Sequence, residues 1–218
     1  MCDGRVQHLW LVEYWHTADC ALVSGWMGCT TEFNKWEGIT YDAANKKLYT
    51  AISSVEGAME NSHPSNDKGT ENRIRVGKNS CGCVMEMEAD PATFRATKAR
   101  MLTCGIPNTD PLTKAVDACV TDHIANPDNV AMIPRFNQLI IGEDTVTGHQ
   151  NDLIWIFDLP TGAMTRIAST PYGSETTSPY WFTVGDWDYM SYVIQHPYGE
   201  SDESRLIDPG STGSGSLG

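Results

Sequence analysis

The feature that most constrains this chain is an internal repeat. Glu37-Gly38-Ile39-Thr40-Tyr41, followed by Lys47-Leu48-Tyr49-Thr50-Ala51, lies over Asp128-Asn129-Val130-Ala131-Met132, followed by Gln138-Leu139-Ile140-Ile141-Gly142. In both copies a leucine stands eleven positions after the acid, and the offset between copies is 91 throughout (128 − 37 and 139 − 48). The units continue in parallel. Val84 to Glu88, a turn at Asp90-Pro91-Ala92-Thr93 and Ala96 to Leu102 match Ile154 to Asp158, a turn at Leu159-Pro160-Thr161-Gly162 and Met164 to Ala168. Four short antiparallel strands repeated in this way are what a propeller blade looks like in sequence. The expected fold class is all-β, built of β-propeller blades.

The local signals agree. Short β-type runs broken by turn residues occur at Gly38 to Tyr41, Lys47 to Ile52, Val84 to Glu88, Arg95 to Leu102, Asn129 to Ile133, Gln138 to Gly142, Leu153 to Asp158 and Met164 to Ser169. Lys114 to Asp122 is the one stretch that could form a short helix. A third unit begins with Ser178 to Phe182 and Tyr189 to Gln195 and then breaks off. The expected organisation is an unassigned segment over 1–32, a partial propeller over 33–202 with blades near 33–104, 126–170 and 178–200, and a Ser/Gly-rich flexible tail over 203–218. Two and a half blades cannot close a ring, so apolar faces need partners. The expectation is self-association or a place in a larger assembly, with the Trp-rich stretch Leu9 to Trp26 as an added contact surface.

Charge narrows the partners. Fifteen Lys+Arg against 28 Asp+Glu give a formal net charge of −13, which excludes the basic surface that nucleic-acid binding needs. It also means that chemistry on phosphate would need bound cations to invert the local field. No apolar run is long enough to span a membrane. The first twenty residues lack the basic start and clean apolar stretch of an export signal. The seven cysteines include Cys81-Gly-Cys83 and the pair Cys104 and Cys119, set in Gly/Pro/Asp-rich connections of the kind that disulfides staple. Cys104 to Cys119 is the expected bridge, with buried free thiols as the alternative. No CxxC pair points to zinc.

In a propeller the first strand of each blade lines the channel, so Glu37 and Asp128 should point into the same axial space. Two carboxylates there repel unless a cation lies between them; otherwise each serves only as a strand cap. Glu143 and Asp144 end an apolar strand, and Asn126-Pro127-Asp128-Asn129 offers hard oxygen donors of the kind calcium prefers. The candidate metal ligands are therefore Glu37, Asp128, Glu143 and Asp144. Cys29, His149, Asn151 and His196 are available nearby, and Ser174 to Ser178 reads either as a loop at the channel mouth or as a solvated turn. No nucleophile is nominated. Gly210 to Gly215 has the wrong spacing for a nucleophile elbow, and neither a P-loop nor His-Glu-x-x-His occurs.

Lys35-Trp36-Glu37-Gly38-Ile39, Asn126-Pro127-Asp128-Asn129-Val130, Ile141-Gly142-Glu143-Asp144-Thr145, Tyr172 to Trp181 and Gln195-His196-Pro197-Tyr198-Gly199-Glu200, in this order, resemble the C-terminal half of PhoX-type alkaline phosphatases, and most of all the algal and cyanobacterial branch. The resemblance runs from about Phe33 to Asp202. It implies a β-propeller phosphomonoesterase with calcium and iron on its axis, a phosphate monoester substrate, and an extracellular or periplasmic location. It places Glu37 and Asp128 on the metals, Glu143 and Asp144 on or beside them, and Asn129 and His196 in support. The family's Cys-Glu-Glu segment, whose cysteine binds iron, has no counterpart in this sequence; Cys29 stands in a different context. The competing readings are a non-catalytic calcium-binding propeller segment and a lactonase-like calcium hydrolase.

Overall fold

A computed structural model of the chain describes residues 32–61, 63, 72, 74–93, 95–145 and 147–198. The Leu9 to Trp26 surface, Cys29 and the 203–218 tail lie outside the described residues. The chain divides into two compact units, one of residues 1–34 and 55–78, the other of 35–54 and 79–218. In the first, the 3-10 turn Gly57–Met59 is buried, Glu60 and Val76 form a parallel bridge, and the backbone N–H of Ile74 donates to the buried Glu32 at 2.6 Å.

The second unit is all-β among its described residues. Strands β1 (Trp36–Asp42), β2 (Lys47–Ile52), β3 (Cys83–Ala89) and β4 (Ala96–Cys104) form one antiparallel meander. Strands β5 (Pro127–Ile133), β6 (Gln138–Glu143), β7 (Asn151–Asp158) and β8 (Met164–Tyr172) form a second, and β9 (Glu175–Val184) with β10 (Trp187–Gln195) form a hairpin. This is a partial propeller. The 91-residue offset holds strand for strand, since Trp36–Asp42 maps onto Pro127–Ile133 and Lys47–Ile52 onto Gln138–Glu143. It extends to the hairpin turns, where Lys46 (φ 57°) and Asn137 (φ 54°) take the same left-handed conformation. Farther along, the copies align one residue earlier than the turn comparison suggested. Asp90 accepts from Ala92 and Thr93 just as Asp158 accepts from Thr161, so Asp158, and not Leu159, opens the second turn.

Packing explains why the inner strands read as continuous apolar runs rather than alternating ones. Leu139 and Ile141 of β6 face a core shared with Tyr49, Ala51 and Val84 of the first sheet, together with Leu153, Trp155 and Phe157. Ile140, on the opposite face, joins Ile133 and Ile154 against Trp181 and Met190 of the hairpin. A sheet covered on both faces needs apolar residues at every position. The first strands converge: β1 lies against β5, and β5 against β9. Gly38 makes the first approach possible, because a Cβ there would stand 2.8 Å from the Asp128 carbonyl oxygen.

Two expectations are corrected. Lys114 to Asp122 is not helical; residues 111–116 form turns. There Asp110 takes the Leu112 amide on its own side chain, and the following residues are drawn off to Thr147 and Gly148 by the Ala118 and Cys119 amides. Nor is Cys104 bonded to Cys119. The bridges are Cys81–Cys119, Cα–Cα 5.9 Å, and Cys83–Cys104, Cα–Cα 4.0 Å. Pairing of β3 with β4 sets Cys83 directly across from Cys104, while Cys119, bridged to Pro107, ends beside Cys81. Nearness in space overrode nearness in sequence.

Candidate functional site

Both repeat acids sit in β-bulges. Opposite β2, Trp36 pairs with Ile52 and Ile39 with Thr50, so Glu37 and Gly38 together occupy the place across from Ala51. Opposite β6, Pro127 pairs with Glu143 and Asn129 with Gly142, leaving Asp128 as the extra residue. A bulge bends its strand and re-aims the side chain it carries. The same device therefore turns Glu37 and Asp128 out of the sheet pleat in both copies.

A third sheet contributes Glu175. Its neighbour Thr176 staples β9 to β6: the Glu143 N–H donates to the Thr176 Oγ1 at 2.7 Å, and that hydroxyl donates on to the Glu143 carbonyl at 2.8 Å. Gly142 allows this contact, because a Cβ there would stand 2.9 Å from the threonine hydroxyl. Asp144 leaves β6 one residue later, its amide donating to the Asn126 carbonyl at 3.1 Å.

Glu37, Asp144 and Glu175 all lie near enough to Asp128 for their charges to act on it. The Asp128 carboxyl is pushed up to about 6, first by burial and then by the charges of Glu37, Asp144 and Glu175; Lys35 acts in the opposite direction. Lys35 lies 3.6 Å from Glu37 in a largely exposed pair, too solvated to neutralise the group. The Asn129 amide donates to Asp128, and the His196 Nε2 lies 3.9 Å from Glu175. The sequence puts Glu175 in the polar stretch Ser174 to Ser178, read as a loop at the channel mouth or a solvated turn, whereas the structure makes it the first residue of β9. Its signal was an acid at the start of the first strand of the third unit, matching Glu37 and Asp128.

Glu143 does something else. It is fully buried, and one oxygen accepts from the Ala125 N–H at 2.8 Å and the Trp155 Nε1 at 2.7 Å. The other accepts from the Leu153 N–H at 3.0 Å and faces the His149 Nδ1 at 2.9 Å. All four acceptor positions are taken, which leaves none for a cation; the residue is a hub that holds loop to sheet. His149 presents its Nε2 to the Val120 carbonyl at 3.3 Å, so it too is committed to the fold. Burial pushes the Glu143 carboxyl up. Burial works to lower His149, and the Glu143 carboxylate outweighs it and raises the imidazole. Beside them Asp152 is pushed up to about 8 by burial and by the charge of Glu143, against the donors of Thr145. Asn126 is likewise structural, its amide tying the Ser53 and Ser80 carbonyls at 2.8 and 2.9 Å.

No family profile matches the sequence, and no curated protein matches it. A solved structure does, that of Pseudomonas fluorescens PhoX in complex with vanadate, a transition state analogue, at 18% identity and a TM-score of 0.52. In fold, the chain is similar to PhoX. The match takes in 81% of this chain and 31% of that one, so the chain spans about a third of the PhoX length.

Whether the residues suit the calcium and iron that the sequence resemblance implies depends on the donors. Glu37, Asp128, Asp144 and Glu175 are hard oxygen donors of the kind calcium takes. Among the described residues, however, no three His, Cys, Asp or Glu side chains are grouped closely enough to hold an ion. What the acids share is a field, without a formed coordination shell. Iron finds no thiolate among the described cysteines, all four of which are in disulfides.

Proposed function

We propose that this chain is part of a PhoX-like hydrolase of phosphate monoesters, with Glu37, Asp128, Asp144 and Glu175 as its cation-attracting rim. The observation that carries the reading is the gathering of acids from three sheets around the half-buried Asp128, whose carboxyl is lifted to about 6 by burial first and by their charges second. A bound calcium ion would offset the charge of a phosphate ester and polarise its oxygens. The chain's own part is to aim the acids by bulges, fix Glu175 through Thr176, and keep one cationic side chain, Lys35, at the rim, where a phosphate oxygen could meet it. The two disulfides support an extracellular or periplasmic setting.

The test is calorimetric titration of the purified, metal-stripped protein with calcium, alongside hydrolysis of an aryl phosphate. Binding with turnover is expected, both lost in Asp128→Asn. Binding without turnover favours the non-catalytic calcium-binding segment, and absence of both overturns the two readings together.

A further inference from the structure

The 91-residue offset also reaches the residues that flank the two bulges. Two positions before each of three rim acids stands a residue in the left-handed conformation: Lys35 (φ 45°) before Glu37, Asn126 (φ 43°) before Asp128 and Gly173 (φ 64°) before Glu175. In the first two copies its carbonyl takes the same bond, from the residue that follows the second strand. The Ser53 N–H donates to the Lys35 carbonyl at 3.0 Å, and the Asp144 N–H to the Asn126 carbonyl at 3.1 Å. Ser53 and Asp144 are thus equivalent positions (144 − 53 = 91). Where the second copy places a rim acid, the first places a serine.

That serine is buried, and its polar groups reach both sheets. Its N–H holds Lys35, which leads into the Glu37 bulge. Its hydroxyl crosses to the second sheet and donates to the carbonyl of Pro127, immediately before Asp128, at 3.1 Å. Its carbonyl accepts from the Asn126 Nδ2 at 2.8 Å, and Asn126 in turn takes the Asp144 amide. One residue therefore joins the approaches to three of the four rim acids. Gly82 (φ 71°) leaves room for the crossing, because a Cβ there would stand 2.5 Å from the Ser53 carbonyl oxygen and 2.8 Å from the Pro127 Cδ. The extra residue of a bulge is left unpaired in its own ladder, so its direction depends on bonds of this kind from outside the strand pair.

We infer that Ser53 is a positioning residue of the rim: acting through Pro127 and Lys35, it fixes the Asp128 bulge of the second sheet against the Glu37 bulge of the first, and so sets how far apart the two carboxylates stand. The inference rests on the reading of the rim as a cation site. Partners that orient ligating side chains without touching the ion change metal affinity by roughly 10–100-fold when they are removed. Ser53→Ala deletes the hydroxyl and keeps both backbone bonds, so a loss at the low end of that range, about tenfold in calcium affinity, is expected.

Calorimetric titration with calcium of the unmutated full chain, Ser53→Ala and Thr170→Val, well below their melting temperatures, tests this. Thr170→Val is the control, since the buried Thr170 hydroxyl donates to the Asp152 carbonyl at 2.9 Å, a bond of the same kind made within the second sheet. Both variants should melt somewhat lower, whereas only Ser53→Ala should bind calcium about tenfold more weakly. In chelator, hydrogen exchange at the Asn126 and Asp144 amides should be faster in Ser53→Ala and unchanged in Thr170→Val. Unmutated protein that takes up no calcium overturns the cation reading, and this role with it. Calcium bound as tightly by Ser53→Ala, an equal loss in Thr170→Val, or Asn126 and Asp144 amides unmoved by Ser53→Ala overturns the role of Ser53 alone.

Discussion

Two carboxylates stand at the same end of the β5–β6 pair, Asp128 in the bulge of one strand and Glu143 at the end of the other. Around Glu143 the protein supplies four partners and no water-facing surface. Around Asp128 it supplies one amide, three further acids and the weaker opposing charge of Lys35. The first arrangement spends a charge on holding the fold together. The second gathers like charges around one half-buried carboxyl, at a place where three sheets meet. Residue type does not distinguish a structural acid from a functional one; the number of donors that the fold aims at it does.

The largest effect that sharpens this contrast is Glu143→Gln. An amide N–H2 would face two of the four donors and leave buried groups unpaired, so destabilisation of about 3–5 kcal/mol is expected in denaturant melts. A loss below about 1 kcal/mol would place Glu143 with the solvated acids instead. Removal of the Cys81–Cys119 bridge comes next. It closes a loop of 38 residues and ties the segment carrying Val120 and Ile124 to the hub. Cys81→Ala with Cys119→Ala should cost about 4 kcal/mol in the chain-entropy model, read by the same melts in non-reducing buffer.

A smaller effect comes from Asp152. Its folded carboxyl titrates near 8, above the ordinary aspartate value of about 4. Between those two values the folded state binds the proton that the unfolded state has lost, so stability falls as pH rises from about 4 to 8 and then levels. Asp152→Asn, which cannot ionise, should therefore gain on the unmutated protein by about 1–3 kcal/mol between pH 5 and pH 8. Parallel stability curves for the two proteins would show that Asp152 is ionised in the fold.

The smallest effect without metal belongs to Asp128→Asn, which removes repulsion and should shift stability by less than about 1 kcal/mol in chelator. With calcium the same variant should lose the cation-dependent rise in Tm. In the unmutated protein calcium affinity should weaken as pH falls through about 6, where Asp128 takes up its proton. A Tm gain from calcium equal in both proteins would remove Asp128 from the cation site.

The contrast also shows what could be read in advance. The 91-residue offset located β1, β2, β5 and β6 because strand periodicity is local, and it paired Glu37 with Asp128 because both stand at one register. The grouping of Glu143 with Asp144 as adjacent acids missed the end of the strand: Glu143 is the last residue of β6 and goes into the core, while Asp144 has left the sheet. His149, legible as a candidate ligand, faces the Glu143 hub instead.

The sequence by itself determined that this chain builds four-stranded antiparallel sheets in repeated units, and that an acid stands at the start of the first strand in each. Those properties rest on hydrophobic pattern and turn chemistry, which act over a few residues. The tertiary structure alone decided which cysteines meet, that Glu175 joins Glu37, Asp128 and Asp144, and that Glu143 is saturated. Each of these depends on contacts between segments far apart in the chain: Cys81 with Cys119, Thr176 with Glu143, Ala125 with Glu143. Local sequence carries no record of such distances, because the sheets come together through burial of their faces, and burial is indifferent to separation along the chain.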